Sequence, residues 1–66
     1  MQVTVNGALT EVPDGATVAT LVAERSGGHD RVAVALNGDV VPRSRWTATP
    51  LSTGDRLEVL APTAGG

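Results

Sequence analysis

The sequence predicts an α+β domain in which one helix packs across one sheet. Three observations carry that expectation. Two Asn-Gly dipeptides, Asn6-Gly7 and Asn37-Gly38, each interrupt alternating apolar residues and so mark hairpin turns. One segment, from Val18 to about Arg25, places Val18, Leu21 and Val22 at i, i+3 and i+4, which is a single apolar stripe of a helix. A last run, Arg56 to Leu60, alternates again and reads as a closing strand. At 66 residues the chain has room for one small core.

Taken in order, Met1 to Val5 sets Val3 and Val5 on one face and Gln2 and Thr4 on the other. Asn6-Gly7 supplies the two positive-φ residues of a type I′ turn, and a second strand follows over Ala8 to Val12. Leu9 and Val12 fall out of phase there, so this strand is expected at an edge or with a bulge. Pro13-Asp14-Gly15 is a turn, and Thr17 is placed to cap the helix by accepting a hydrogen bond from a first-turn N–H. Gly27-Gly28 is expected to close the helix, and a loop through His29 and Asp30 leads to Val32–Leu36. In that strand Val32, Val34 and Leu36 should face inward, leaving a low outer face of Ala33 and Ala35. Val40-Val41 makes a short return strand that Pro42 breaks. Arg43-Ser44-Arg45-Trp46 and a turn-rich passage through Pro50, Ser52, Thr53 and Gly54 precede the final strand, whose Leu57 and Val59 point inward and whose Glu58 and Leu60 point outward.

Composition removes several classes of function. No cysteine is present, so there is neither a disulfide, nor a thiolate metal site, nor a thiol nucleophile. The seven carboxylates never cluster at ligand spacing and there is one histidine, so no metal is expected. Ser26, His29 and Asp30 are the residue types of a hydrolase triad, but they share one short segment, whereas a triad needs side chains held by separate rigid elements. A net charge of −2 with one tryptophan as the sole aromatic residue argues against nucleic acid as a partner. Neither a signal peptide nor a membrane span is read from the residues, which makes the cytoplasm the expected compartment. The five basic residues are all arginine, so lysine offers no amine that could attack an activated carboxyl group.

The segment with distinct chemistry is Ala61-Pro62-Thr63-Ala64-Gly65-Gly66. The chain is accordingly divided into a folded domain, 1–60, and a flexible tail, 61–66. Gly65 and Gly66 lack Cβ atoms and fit a slot closed to other residues, and six extended residues reach roughly 20 Å, enough to thread Ala64, Gly65 and Gly66 into a partner's active site. Leu60 with Ala33 and Ala35 forms a candidate apolar docking patch beside the tail. Arg43, Arg45 and Trp46 form the one basic and aromatic cluster, with the residue types of interface hot spots; the other reading, slightly favoured, has Trp46 covering the end of a small core and the arginines solvated.

This order of elements resembles the β-grasp sulfur carrier proteins, and most closely the carriers of thiazole formation in thiamine biosynthesis. The resemblance runs through Gly15-Ala16-Thr17-Val18 and Leu21, Val34-Ala35-Leu36-Asn37-Gly38, Val40-Val41-Pro42-Arg43-Ser44-Arg45-Trp46, Gly54-Asp55-Arg56-Leu57-Glu58-Val59 and the terminal Gly65-Gly66. It implies a ubiquitin-like β-grasp fold, one mixed sheet of four to five strands on one main helix. It also implies a protein that is no enzyme and binds no cofactor. The Gly66 carboxylate would be adenylated with ATP by an E1-like adenylating enzyme and converted to a thiocarboxylate with sulfur from a cysteine desulfurase or equivalent donor. Thiazole synthase would then take the sulfur. Pro62 departs from the family pattern, where a strand residue is usual, and is expected to stiffen the exit of the tail. Two other readings share these features: a carrier for molybdopterin or tRNA thiolation, and a passive ubiquitin-like interaction domain.

Overall fold

The structure, a computed structural model, describes residues 1–25 and 31–60. Five strands, β1 (Gln2–Val5), β2 (Ala8–Glu11), β3 (Ala33–Leu36), β4 (Asp39–Val40) and β5 (Arg56–Leu60), form one sheet in the order β2-β1-β5-β3-β4. The helix α1 spans Val18–Arg25, the range its apolar stripe predicted, and it buries Val18, Leu21 and Val22. The sheet is mixed: β1 and β5 run parallel, and every other pair is antiparallel. This is the arrangement of a β-grasp domain.

Both Asn-Gly turns form as two-residue loops. Asn6 and Gly7 have φ of 50° and 84°, and Asn37 and Gly38 have φ of 51° and 92°. Four positive-φ residues at two corners match the right-handed twist of the strands they join, which is why this dipeptide was a hairpin signal. The first turn sets Val5 opposite Ala8 and Gln2 opposite Glu11, an unbroken register, so β2 is an edge strand without a bulge. Val12, just beyond, continues the pairing by donating its N–H to the Met1 carbonyl at 2.9 Å and turns into the core. Leu9 alone is out of phase and stays on the outer face.

The helix begins where expected. The Thr20 N–H donates to Thr17 Oγ1 at 3.3 Å, and the Thr17 N–H donates to Thr20 Oγ1 at 3.2 Å, a reciprocal cap that satisfies helix-end donors. The expected closure at Gly27-Gly28 and the Ser26, His29 and Asp30 segment lie outside the described residues.

The core gathers Val3, Val5, Val12, Ala16, Val18, Leu21, Val22, Val34, Trp46, Leu51 and Leu57 between the sheet and α1. Its floor is closed by a feature that local sequence did not announce, a 3-10 helix over Arg43–Ala48 that packs against α1. Leu51 follows it into the core, held by its N–H donating to the Ala16 carbonyl at 2.9 Å. The Val18 N–H likewise donates to the Thr49 carbonyl at 3.0 Å, so the passage after the 3-10 helix is tied to the start of α1.

Candidate functional site

β5 is the central strand, and it leads directly into residues 61–66. Its period-two alternation gives it two faces. Leu57 is wholly buried and Val59 packs against the core, whereas Glu58 and Leu60 point away from it. Leu60 stands 66% exposed at the end of the strand.

Register builds a surface around Leu60. Ala33 lies directly opposite Leu60 across the β3–β5 pair, and Ala35 lies opposite Glu58 on one side and Val40 on the other. Leu60, Ala33, Ala35 and Val40 therefore share the outer face, as the alternation of β3 and β5 predicted for the first three. Val40, 77% exposed, was missed as a member of this surface. The signal was present in the sequence: a two-residue turn at Asn37-Gly38 pairs Leu36 with Asp39 and hence Ala35 with Val40, so Val40 must share the face of Ala35. Leu9, also exposed, lies on the same face but two strands away at the opposite edge, with β1 between.

Trp46 requires a correction. Of its two readings, docking residue and cover on the core, the structure gives the second: Trp46 is only 7% exposed and belongs to the core. Its indole Nε1 donates to the Val41 carbonyl at 3.0 Å, which satisfies the ring's one polar atom and leaves its apolar body to pack. The 3-10 helix turns the ring down while Arg43 and Arg45 remain exposed. The Arg-x-Arg-Trp cluster is thus split by tertiary structure: its tryptophan holds the segment in place from beneath, and its arginines stay on the surface.

At the opposite end of the sheet the Met1 α-ammonium donates to the Val12 carbonyl at 2.7 Å and lies 2.9 Å from Glu11 Oε2 and 3.6 Å from Asp14 Oδ1. The hydrogen bond to Glu11 raises its pKa above the ordinary 8.0, and the charges of Glu11 and Asp14 add to this against a partial desolvation that lowers it.

Among the described residues no three His, Cys, Asp or Glu side chains come together as a metal site, and no helix is long and apolar enough to cross a membrane. Ala64, Gly65 and Gly66 lie outside the described residues, as do Pro62 and the proposed division between domain and tail.

A model of the ThiS family matches residues 3–66, from the first strand through the terminal glycine pair. The chain belongs to the ThiS family. Solved structures agree with that assignment. The crystal structure of a thiamine biosynthesis protein (ThiS) from Geobacter metallireducens is similar with a TM-score of 0.81 and 33% identity, covering 100% of both chains. An NMR solution structure of a thiamine biosynthesis protein from the same organism gives a TM-score of 0.80 and 35% identity, covering 100% of this chain and 88% of that one. A protein named thiazole synthase from Paramagnetospirillum magneticum is 32% identical over 66 residues, which is 100% of this ThiS-family chain but 20% of that relative. The chain therefore spans about a fifth of the length of the curated relative it matches.

Proposed function

We propose that this ThiS-family chain is the sulfur carrier of thiazole formation in thiamine biosynthesis, with the Gly66 carboxylate as the atom group that carries the sulfur. The observation that bears most weight is that the family match extends over residues 3–66 and so includes Gly65 and Gly66. The chemistry requires a free carboxylate on Gly66. A carboxylate is a poor electrophile, so an E1-like adenylating enzyme would first join it to the α-phosphate of ATP with loss of pyrophosphate. AMP is a good leaving group: the terminal sulfur of a protein persulfide, as formed on a cysteine desulfurase, would displace it to give an acyl disulfide. A second thiol of the partner enzymes would then attack the donor's inner sulfur, releasing the Gly66 thiocarboxylate and leaving a disulfide on the partner side. Thiazole synthase would consume that sulfur. The stretch of a thiazole synthase that is similar to this whole chain supports that client over the other sulfur pathways.

In this reading the chain contributes a handle and no catalysis. Ala64, Gly65 and Gly66 thread the partner's site, and the Leu60, Ala33, Ala35 and Val40 surface supplies the docking contact, with exposed Arg43 on the 3-10 helix as a further candidate contact. Ordering six tail residues costs roughly 6–12 kcal/mol, so contacts on the folded body must offset it. A peptide of residues 61–66 alone is accordingly expected to be a poor substrate.

The test is the intact mass of the chain after incubation with ATP, an activating enzyme of this pathway and a sulfur donor. A gain equal to one oxygen replaced by sulfur, absent when Gly66 is deleted, supports the reading. No change with an enzyme shown to be active on another carrier overturns it.

A further inference from the structure

The parallel pairing of β1 with β5 ends early by its main chain and is continued by a side chain. Thr4 and Asn6 donate their N–H groups to the carbonyls of Asp55 and Leu57 at 2.8 and 2.9 Å. At Asn6 the backbone then leaves the sheet with φ of 50°, so its own carbonyl is carried off into the turn. The Asn6 side-chain amide takes over the ladder. The Val59 N–H donates to Asn6 Oδ1 at 2.8 Å, and Asn6 Nδ2 donates to the Val59 carbonyl at 3.0 Å. The primary amide has the same donor and acceptor as a peptide group, and this orientation alone pairs donor with acceptor at both ends. Val59 lies one residue before Leu60, after which 61–66 begin.

We propose that Asn6 is a positioning residue: its side chain clamps the Val59 main chain and thereby fixes the place and direction in which the tail leaves the domain. For its functional consequence the inference rests on the sulfur-carrier reading. A tail whose root is already fixed loses less freedom on entering a partner, so the clamp lowers the cost of binding rather than the barrier of the chemistry. Asn37 is a built-in control. It sits in the matching turn with the same φ, and its Oδ1 accepts from the Arg56 N–H at 2.9 Å while Nδ2 donates to Asp55 Oδ1 at 3.1 Å, all at the opposite end of β5.

The experiment compares Asn6→Gly with Asn37→Gly. Glycine keeps the positive φ of each turn and deletes only the side-chain bonds. Amide hydrogen exchange is read at Leu57, Val59 and Leu60, and KM and kcat for the carrier are read by pyrophosphate exchange with the adenylating enzyme. Asn6→Gly should speed exchange at Val59 and Leu60 relative to Leu57 and raise KM roughly three- to tenfold, the size of about one net hydrogen bond, with kcat retained. Asn37→Gly should leave both readouts at their wild-type values once the folded fraction is taken into account. Unchanged exchange at Val59 in Asn6→Gly overturns the clamp. An unchanged KM, a fall in kcat, or an equal KM shift in both variants overturns its role in positioning. If the wild-type chain is not adenylated at all, the carrier reading falls, and the clamp is decided by the exchange data alone.

Discussion

The two faces of β5 are built from the same five residues but answer to different constraints. The inner face, Leu57 and Val59, joins Val3, Val5, Val34 and Trp46 in a core that excludes water. The outer face, Glu58 and Leu60, leaves an apolar side chain in solvent beside Ala33, Ala35 and Val40. Burial at about 25 cal/mol per Å² explains the first and gives no reason for the second, because an exposed leucine contributes little to folding. Stability therefore resides on one side of the strand. The exposed side is available for recognition.

The sharpest way to break that contrast is to attack the inner side. Trp46→Ala should cost about 3–5 kcal/mol, because it empties the space beneath the 3-10 helix and leaves the Val41 carbonyl without its indole partner. Leu57→Ala, at the wholly buried centre of the sheet, should cost about 2–5 kcal/mol. Both are large beside the ~5–15 kcal/mol of ordinary domains, and urea unfolding curves with clearly lowered midpoints would bear them out.

On the outer side the expectation reverses. Leu60→Asp should change stability by no more than about 0.5 kcal/mol yet lower kcat/KM for adenylation about tenfold, the loss of one interface anchor. Val40→Asp should act in the same direction and more weakly, since it lies on the edge strand β4 with β3 between it and Leu60; if it matches Leu60→Asp, the recognised surface extends across β3 to the edge strand. A stability loss of several kcal/mol in either variant would erase the distinction between the faces.

The smallest effect belongs to the sheet edge, where the Met1 ammonium meets Glu11 and Asp14. Its pKa is raised in the folded state, so its contribution to stability is fully present below pH 8.0 and is lost as pH rises through the folded value. Melting temperature should fall modestly as pH is raised from 8 through the folded-state value, and acetylation of Met1 should remove that dependence. Both carboxylates are largely exposed, so solvent screening keeps the effect small, and added salt should reduce it further.

Much of this fold was legible because its signals are local. A hairpin at Asn6-Gly7 or Asn37-Gly38 depends on two adjacent residues with positive φ, and α1 depends on a stripe repeated over eight residues with a threonine cap before it. The outward direction of Leu60, Ala33 and Ala35 followed from alternation alone. The 3-10 helix was not legible, because Arg43–Ala48 has no cap signal of its own and is held by Trp46 reaching into a core assembled elsewhere. Leu51 is illegible for the same reason: one apolar residue among turn formers joins the core in a segment tied by its main-chain bond to Ala16, far away in the chain.

By itself the sequence determined the hairpins, the helix, the inward and outward sides of the strands, and the glycine-ended segment that aligns with the ThiS family. Tertiary structure alone decided that β1 and β5 are parallel neighbours, that Trp46 is core rather than surface, and that the Asn6 side chain holds Val59 across a separation of 53 residues. The division has a physical cause. Dihedral preferences and period-two or helical spacing act over a few residues and are written where they act. A partner for a side-chain amide or an indole ring is chosen only when distant segments have been brought together by burying the same core.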